Sequence, residues 1–145
     1  MARWAKIANF KIKSQTPGNL LTGKADLKYP ITHKWIAFNF KDLVRNQGAT
    51  FLSWEKEELL SQTCERIAAY SGLEMGKCFS KSFKCYGRWP GHSKLKRPSH
   101  VPEDAKWASM HVQGKQCLGG HIIGNVFYVV FLDNDHHLWP TEKKS

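Results

Sequence analysis

The sequence predicts an α+β domain: an antiparallel sheet whose C-terminal three-stranded meander packs against one or two helices. Three observations carry this prediction. Trp54, Leu60, Cys64, Ile67 and Ala68 recur at three- to four-residue spacing, the period of a helix with one buried face. Residues 107–133 hold three apolar runs of strand length separated by turn sequences. At 145 residues the chain suits one core, which at this size buries roughly two-thirds of the unfolded surface. Residues 1–32 are read as a basic N-terminal extension or edge strand, and 33–145 as the α+β core.

Trp4 to Lys13 ends in Phe10, Lys11, Ile12 and Lys13, an alternation that suits a strand with one wet face or, alternatively, a basic arm. Ser14 to Pro30 has no sustained period and holds Pro17-Gly18, Gly23 and Pro30, so it reads as a loop. His33 to Leu43 is aromatic and partly alternating, which predicts a half-buried strand. Ser53 is expected to cap the helix, with Glu55, Glu57 and Glu58 near its positive end and Gly72 as its stop. A short helical piece over Leu73 to Phe79 and a strand over Phe83 to Trp89 follow. Pro90 to Pro102 carries three prolines and basic residues with no apolar face to bury, and predicts a mobile loop. Trp107 to Val112, Cys117 to Ile123 and Val126 to Asp133 complete the meander, with Gly124-Asn125 as a two-residue turn. The run FYVVFL is apolar on both parities, as a strand covered on both faces must be.

With 41% hydrophobic residues the chain is expected to fold, and its longest apolar run, Val126 to Leu132, is far short of the ~20 residues that span a bilayer. The start lacks the pattern of a secretory signal, so a cytosolic chain is expected, with Cys64, Cys78, Cys85 and Cys117 as buried thiols rather than disulfides. Charge is the dominant feature. There are 22 Lys and Arg against 12 Asp and Glu, a net +10. Residues 1–34 hold seven basic and one acidic side chain, and residues 76–106 hold eight against two. If these blocks share a face, they make a surface for a polyanion, RNA being the expected partner.

Several chemistries are set aside. Cys78-x6-Cys85-x6-His92 and Cys117-x3-His121 lack the short Cys-x2–4-Cys knuckle of a zinc site. The cluster Asp133-Asn134-Asp135-His136-His137 reads as a polar turn, so no metal is expected. With no G-x-S-x-G elbow and no phosphate or dinucleotide fingerprint, no cofactor is expected either. What remains is acid–base chemistry by imidazole on a phosphodiester. His136, just past the last strand, is the expected general base or acid, with His121 as its partner and His137 as its substitute. Lys115, Arg88 and Lys84 are the expected phosphate clamps, with Lys94, Lys96 and Arg97 of the basic loop as further nucleic-acid contacts.

The helix from Ser53, the basic region after it and the closing strands GGHIIGNVFYVVFLDNDHHLWP resemble the RelE and YoeB superfamily of small bacterial mRNA interferase toxins. The ending is also similar to an uncharacterised group of small bacterial and phage-related proteins ending F-Y-x-V-x-L-D-x-x-H-x-L, an aromatic residue and Pro. Phe127, Tyr128, Val130, Leu132, Asp133, His136, Leu138, Trp139 and Pro140 stand at those positions. The resemblance implies helices on an antiparallel sheet, metal-independent cleavage of messenger RNA that can be ribosome-bound, and an acidic antitoxin or other protein partner. It implies that His136 corresponds to the catalytic histidine, and Lys115 or Arg88 to basic residues of the sheet. The chain departs from it in an extra N-terminal section of roughly 30 residues and in Cys117, where an arginine is expected. Two other functions fit the same residues: non-catalytic nucleic-acid binding, with Trp35, Trp89 or Trp107 stacking on bases, and a basic adaptor or inhibitor that docks on an acidic protein.

Overall fold

The computed structural model describes residues 34–140; the strand expected over 4–13 and the loop over 14–30 lie outside the described residues. The elements are β1 (Ala37–Asn39), α1 (Phe51–Lys56), α2 (Leu60–Ser71), α3 (Met75–Cys78), β2 (Phe83–Gly87), β3 (Lys106–Gln113), β4 (Gln116–Ile123) and β5 (Val126–Asp133). The five strands form one sheet in the order β1-β5-β4-β3-β2. β1 runs parallel to β5, and every other pair is antiparallel. The α+β class and the terminal meander are those the sequence predicts.

Both faces of the sheet are covered. On one, Ala108, Met110, Val112, Leu118, Phe127, Val129 and Leu132 pack with Phe83 against Trp54, Leu59, Cys78 and Ile36 of the helical side. On the other, Trp107, Val130 and Phe131 pack under Val101, Ala105 and Leu138. Gly119 pairs with Phe131 but Gly120 with Val129, so Val130 is an extra residue in β5. That bulge keeps Phe131 beside Val130 in the second cluster, where plain alternation would return it to the first.

Several local readings are corrected. The strand expected over His33 to Leu43 is three residues long, because the segment only grazes the edge of the sheet. Thr50, not Ser53, caps the helix; Ser53 is the return partner of a capping box, its hydroxyl accepting from the Thr50 amide at 3.1 Å. The helix expected from Ser53 to Gly72 is broken at Glu57–Leu59, where Glu58 adopts φ +60°. Starting at Phe51, α1 places Glu55 and Glu57 at its end rather than its positive pole. The break also rotates the buried face of α2, so Thr63 is buried while Cys64 and Ala68 are exposed.

The 90–102 segment is a loop, but it does have side chains to bury. Val101 and Pro98 are buried, Leu95 packs on the second cluster, and Gln47 holds the Lys96 backbone through two hydrogen bonds. All four cysteines are free thiols, with Cys78 and Cys117 buried and Cys64 and Cys85 exposed. No helix among the described residues is long and apolar enough to cross a membrane.

Candidate functional site

The site forms where the β3–β4 hairpin meets the segment that leaves β5. A regular two-residue turn at Gly114-Lys115 pairs Gln113 with Gln116, and an unbroken ladder would then set His111 opposite Leu118. A bulge between His111 and Gln113 shifts the register, and His111 pairs with Cys117 instead. The two side chains therefore share a face, with His111 Nδ1 3.7 Å from Cys117 Sγ and 3.3 Å from the Gly114 carbonyl.

The third member arrives through Asp133, the β5 residue paired with Cys117. Its buried carboxylate accepts amide hydrogens from Asp135 (3.4 Å), His137 (2.9 Å) and Leu138 (2.8 Å), folding the chain into a tight turn. That turn holds His136 at φ +59°, a conformation most side chains avoid, and so fixes its ring. His136 Nδ1 lies 2.6 Å from the Trp139 carbonyl. A carbonyl only accepts, so Nδ1 carries the proton and Nε2 of the neutral ring keeps its lone pair. The His111 and His136 ring centroids are 5.1 Å apart, and one ligand atom from each of His111, Cys117 and His136 lies within 4.8 Å of the others.

His111 and His136 line a cleft of about 640 Å³, in the range of small-ligand sites, while Cys117 is fully buried beside them. Lys84, Lys94, Lys115 and His137 also line it, with Asp135 as its acidic group. Tyr86 and Trp139 form an aromatic wall, stacked at 4.3 Å and 9°. Ser93 Oγ and the Lys94 amide both donate to the His137 carbonyl, which fastens the basic loop to the terminal segment. None of the three lysines pairs with a described carboxylate. Burial pushes the Cys117 thiol up to about 12, with a hydrogen bond to Ser109 opposing the rise and the Asp133 charge adding to it. As a free thiol it is neutral near pH 7 and no nucleophile.

No protein-family model, curated protein or solved structure matches the chain. The site is therefore read from its own chemistry.

Of the residues singled out in the sequence, His136, His137, Lys84, Lys94 and Lys115 come together in the cleft. His121 does not. It lies four residues from Cys117 along β4, about 13 Å at ~3.3 Å per residue. There its Nε2 is 2.9 Å from Asp42 Oδ2, its ring stacks on Tyr128, and its Nδ1 is buried without a partner. Arg97 is used inside its loop, donating to the Val101 carbonyl at 2.7 Å and reaching Glu103. Arg88 and Lys96 are exposed outside the cleft lining. Trp107 is fully buried and packs edge-on against the half-buried Trp89, while Trp35 is 45% exposed. Sequence reasoning missed His111, and it weighed Cys117 only beside His121, a spacing it set aside, rather than beside the residue across the hairpin. Reflection about the Gly114-Lys115 turn is the signal that brings His111 and Cys117 to the same end.

Proposed function

We propose that this protein binds single-stranded RNA, gripping the sugar–phosphate backbone in the cleft. The observation that carries the reading is the set of three lysines, Lys84, Lys94 and Lys115, around one cavity without an ion-pair partner among the described carboxylates. Cations held this way are available to phosphates, and the Tyr86–Trp139 wall supplies the aromatic surface that single strands use. The cavity admits a nucleotide-sized segment rather than a duplex. A cytoplasmic setting fits the four free thiols.

A labelled single-stranded RNA titrated across a salt series tests this. Each contacted phosphate contributes about −0.7 to the slope of log K against log salt. Replacing Lys84, Lys94 and Lys115 together with alanine is expected to flatten the slope by about 2 and weaken binding more than tenfold at low salt. Wild-type affinity and slope in the triple variant would overturn the reading.

A second reading, cleavage without a metal, is favoured by one observation: the Nδ1–H of His136 is committed to Trp139, which leaves Nε2 able to accept a proton. The base takes the proton of a ribose 2′-hydroxyl, that oxygen attacks phosphorus, and the departing 5′-oxygen takes the proton back from the His136 imidazolium, leaving a 2′,3′-cyclic phosphate and the neutral imidazole. Cyclic-phosphate ends formed in EDTA, and lost in His136→Asn, are its signature.

A further inference from the structure

We propose that His111, Cys117 and His136 are the three protein ligands of a zinc-class divalent cation, with a fourth coordination position open to the lysine-lined cleft. The proposal rests on ligand geometry and is independent of the RNA reading.

Tetrahedral zinc, with bonds of about 2.3 Å to sulfur and about 2.0–2.1 Å to nitrogen, spaces its S and N donors about 3.6 Å apart and its N donors about 3.4 Å apart. The His111 Nδ1 to Cys117 Sγ distance is already 3.7 Å, and the three donor atoms all lie within 4.8 Å of one another; ligation through this nitrogen exchanges its 3.3 Å contact with the Gly114 carbonyl for the metal and leaves the ring proton on Nε2. Small side-chain rotations close the remainder. The surroundings match what a ligating histidine needs, because its other nitrogen donates to a carbonyl that sets the tautomer and the ring plane. His136 does this through Nδ1 to Trp139.

The donor set also selects the ion. One thiolate and two imidazoles suit zinc and its transition-metal neighbours and disfavour magnesium or calcium, which require oxygen ligands. Asp133 does not complete the sphere, because its two oxygens are taken by three backbone amides. Three protein ligands with an open position is the arrangement of reactive rather than structural zinc sites. His111 and His136 both line the cleft, so that position faces the Lys84, Lys94 and Lys115 side chains. Binding replaces the Cys117 S–H proton with the metal and releases one proton to the buffer. It also occupies the Nε2 lone pair that metal-free cleavage needs, so this site and that second reading exclude each other.

The test uses the full chain and the metal alone. Protein purified without chelator and dialysed against metal-free buffer is expected to retain about one zinc per chain. Titration of the stripped protein with Co²⁺ is expected to give the visible bands of a tetrahedral ion and a thiolate-to-cobalt charge-transfer band. His136→Asn keeps a residue that tolerates positive φ and is expected to bind more than about tenfold more weakly. Cys117→Ser is expected to lose the charge-transfer band, and Cys64→Ser, on the exposed face of α2, to keep it.

A featureless cobalt titration of folded wild-type protein overturns the proposal, whatever the variants do. So do bands that persist at wild-type affinity in His136→Asn. RNA binding is scored separately with and without zinc. Absence of RNA binding both with and without zinc would sink only the RNA reading, and RNA binding without metal uptake would sink only this one.

Discussion

Asp42 lies between Lys41 Nζ at 2.8 Å and His121 Nε2 at 2.9 Å, and its surroundings set its acidity. Burial pushes the carboxyl up, but the hydrogen bonds and charges of Lys41 and His121 outweigh it and hold the group below its ordinary range. An unfolded aspartate titrates near ~3.9. The stability this depressed value contributes is therefore fully present above that pH and is lost as pH falls through the folded value. Asp42→Asn is expected to destabilise the protein by about 1–3 kcal/mol near neutrality, since it weakens a hydrogen bond to buried His121. In urea denaturation, the gap between wild type and variant should shrink as pH falls below about 4, where the Asp42 carboxylate is protonated. A gap that widens in acid would contradict this account. The Gly124-Asn125 turn sets the register that pairs His121 with Tyr128. Its partner Asp42 is 79 residues away, which no local spacing can reveal.

Among the elements, the hairpins were readable because their determinants are local. Gly124 at φ +60° supplies the positive angle that opens a two-residue turn, and Val126 to Asp133 follows as the expected strand covered on both faces. The role of Gly119 and Gly120, the adjacent glycines of β4, depends on the neighbouring strand. At the β5 bulge, a Cβ on Gly120 would run into the Tyr128 carbonyl and lie 2.8 Å from Phe127 Cε1. A Cβ on Gly119 would meet chiefly the end of the Leu138 side chain. Gly120→Ala is therefore expected to cost about 1–3 kcal/mol and Gly119→Ala less, as measured by thermal or urea unfolding. Equal losses would mean that the bulge does not set the constraint. The helical region went the other way. Its apolar spacing was real, but Trp54 and Leu59 are both buried across the break at Glu58, and that packing overrode the continuous period.

Across the whole molecule, the sheet separates a helical layer from a layer of loops, and the cleft joins strand residues Lys84, Tyr86 and His111 to Lys94 and His136 of the loops. Asp133 connects the two scales: it closes the last strand, turns the chain, and thereby delivers His136 to His111 and Cys117. Asp133→Asn keeps one acceptor oxygen and replaces the other with a donor that faces an amide. The expected loss is about 1–3 kcal/mol of stability, together with weaker Co²⁺ uptake although no proposed ligand is changed. Unchanged uptake would show that the turn does not position His136. Charge is also a property of the whole chain. Residues 34–140 carry 14 basic and 10 acidic side chains, so the cleft draws on a modest net surplus arranged locally.

By itself the sequence determined what neighbouring residues decide: the α+β class, the meander, the Gly124-Asn125 turn, the doubly covered last strand and the basic character of the segment after the helices. These follow from periodicity and turn chemistry over a few residues. Only the tertiary structure decided which imidazole meets which partner. A one-residue bulge moves every subsequent pair, and a single carboxylate holding three amides redirects the chain, so His111 joins Cys117 and His136 while His121 goes to Asp42.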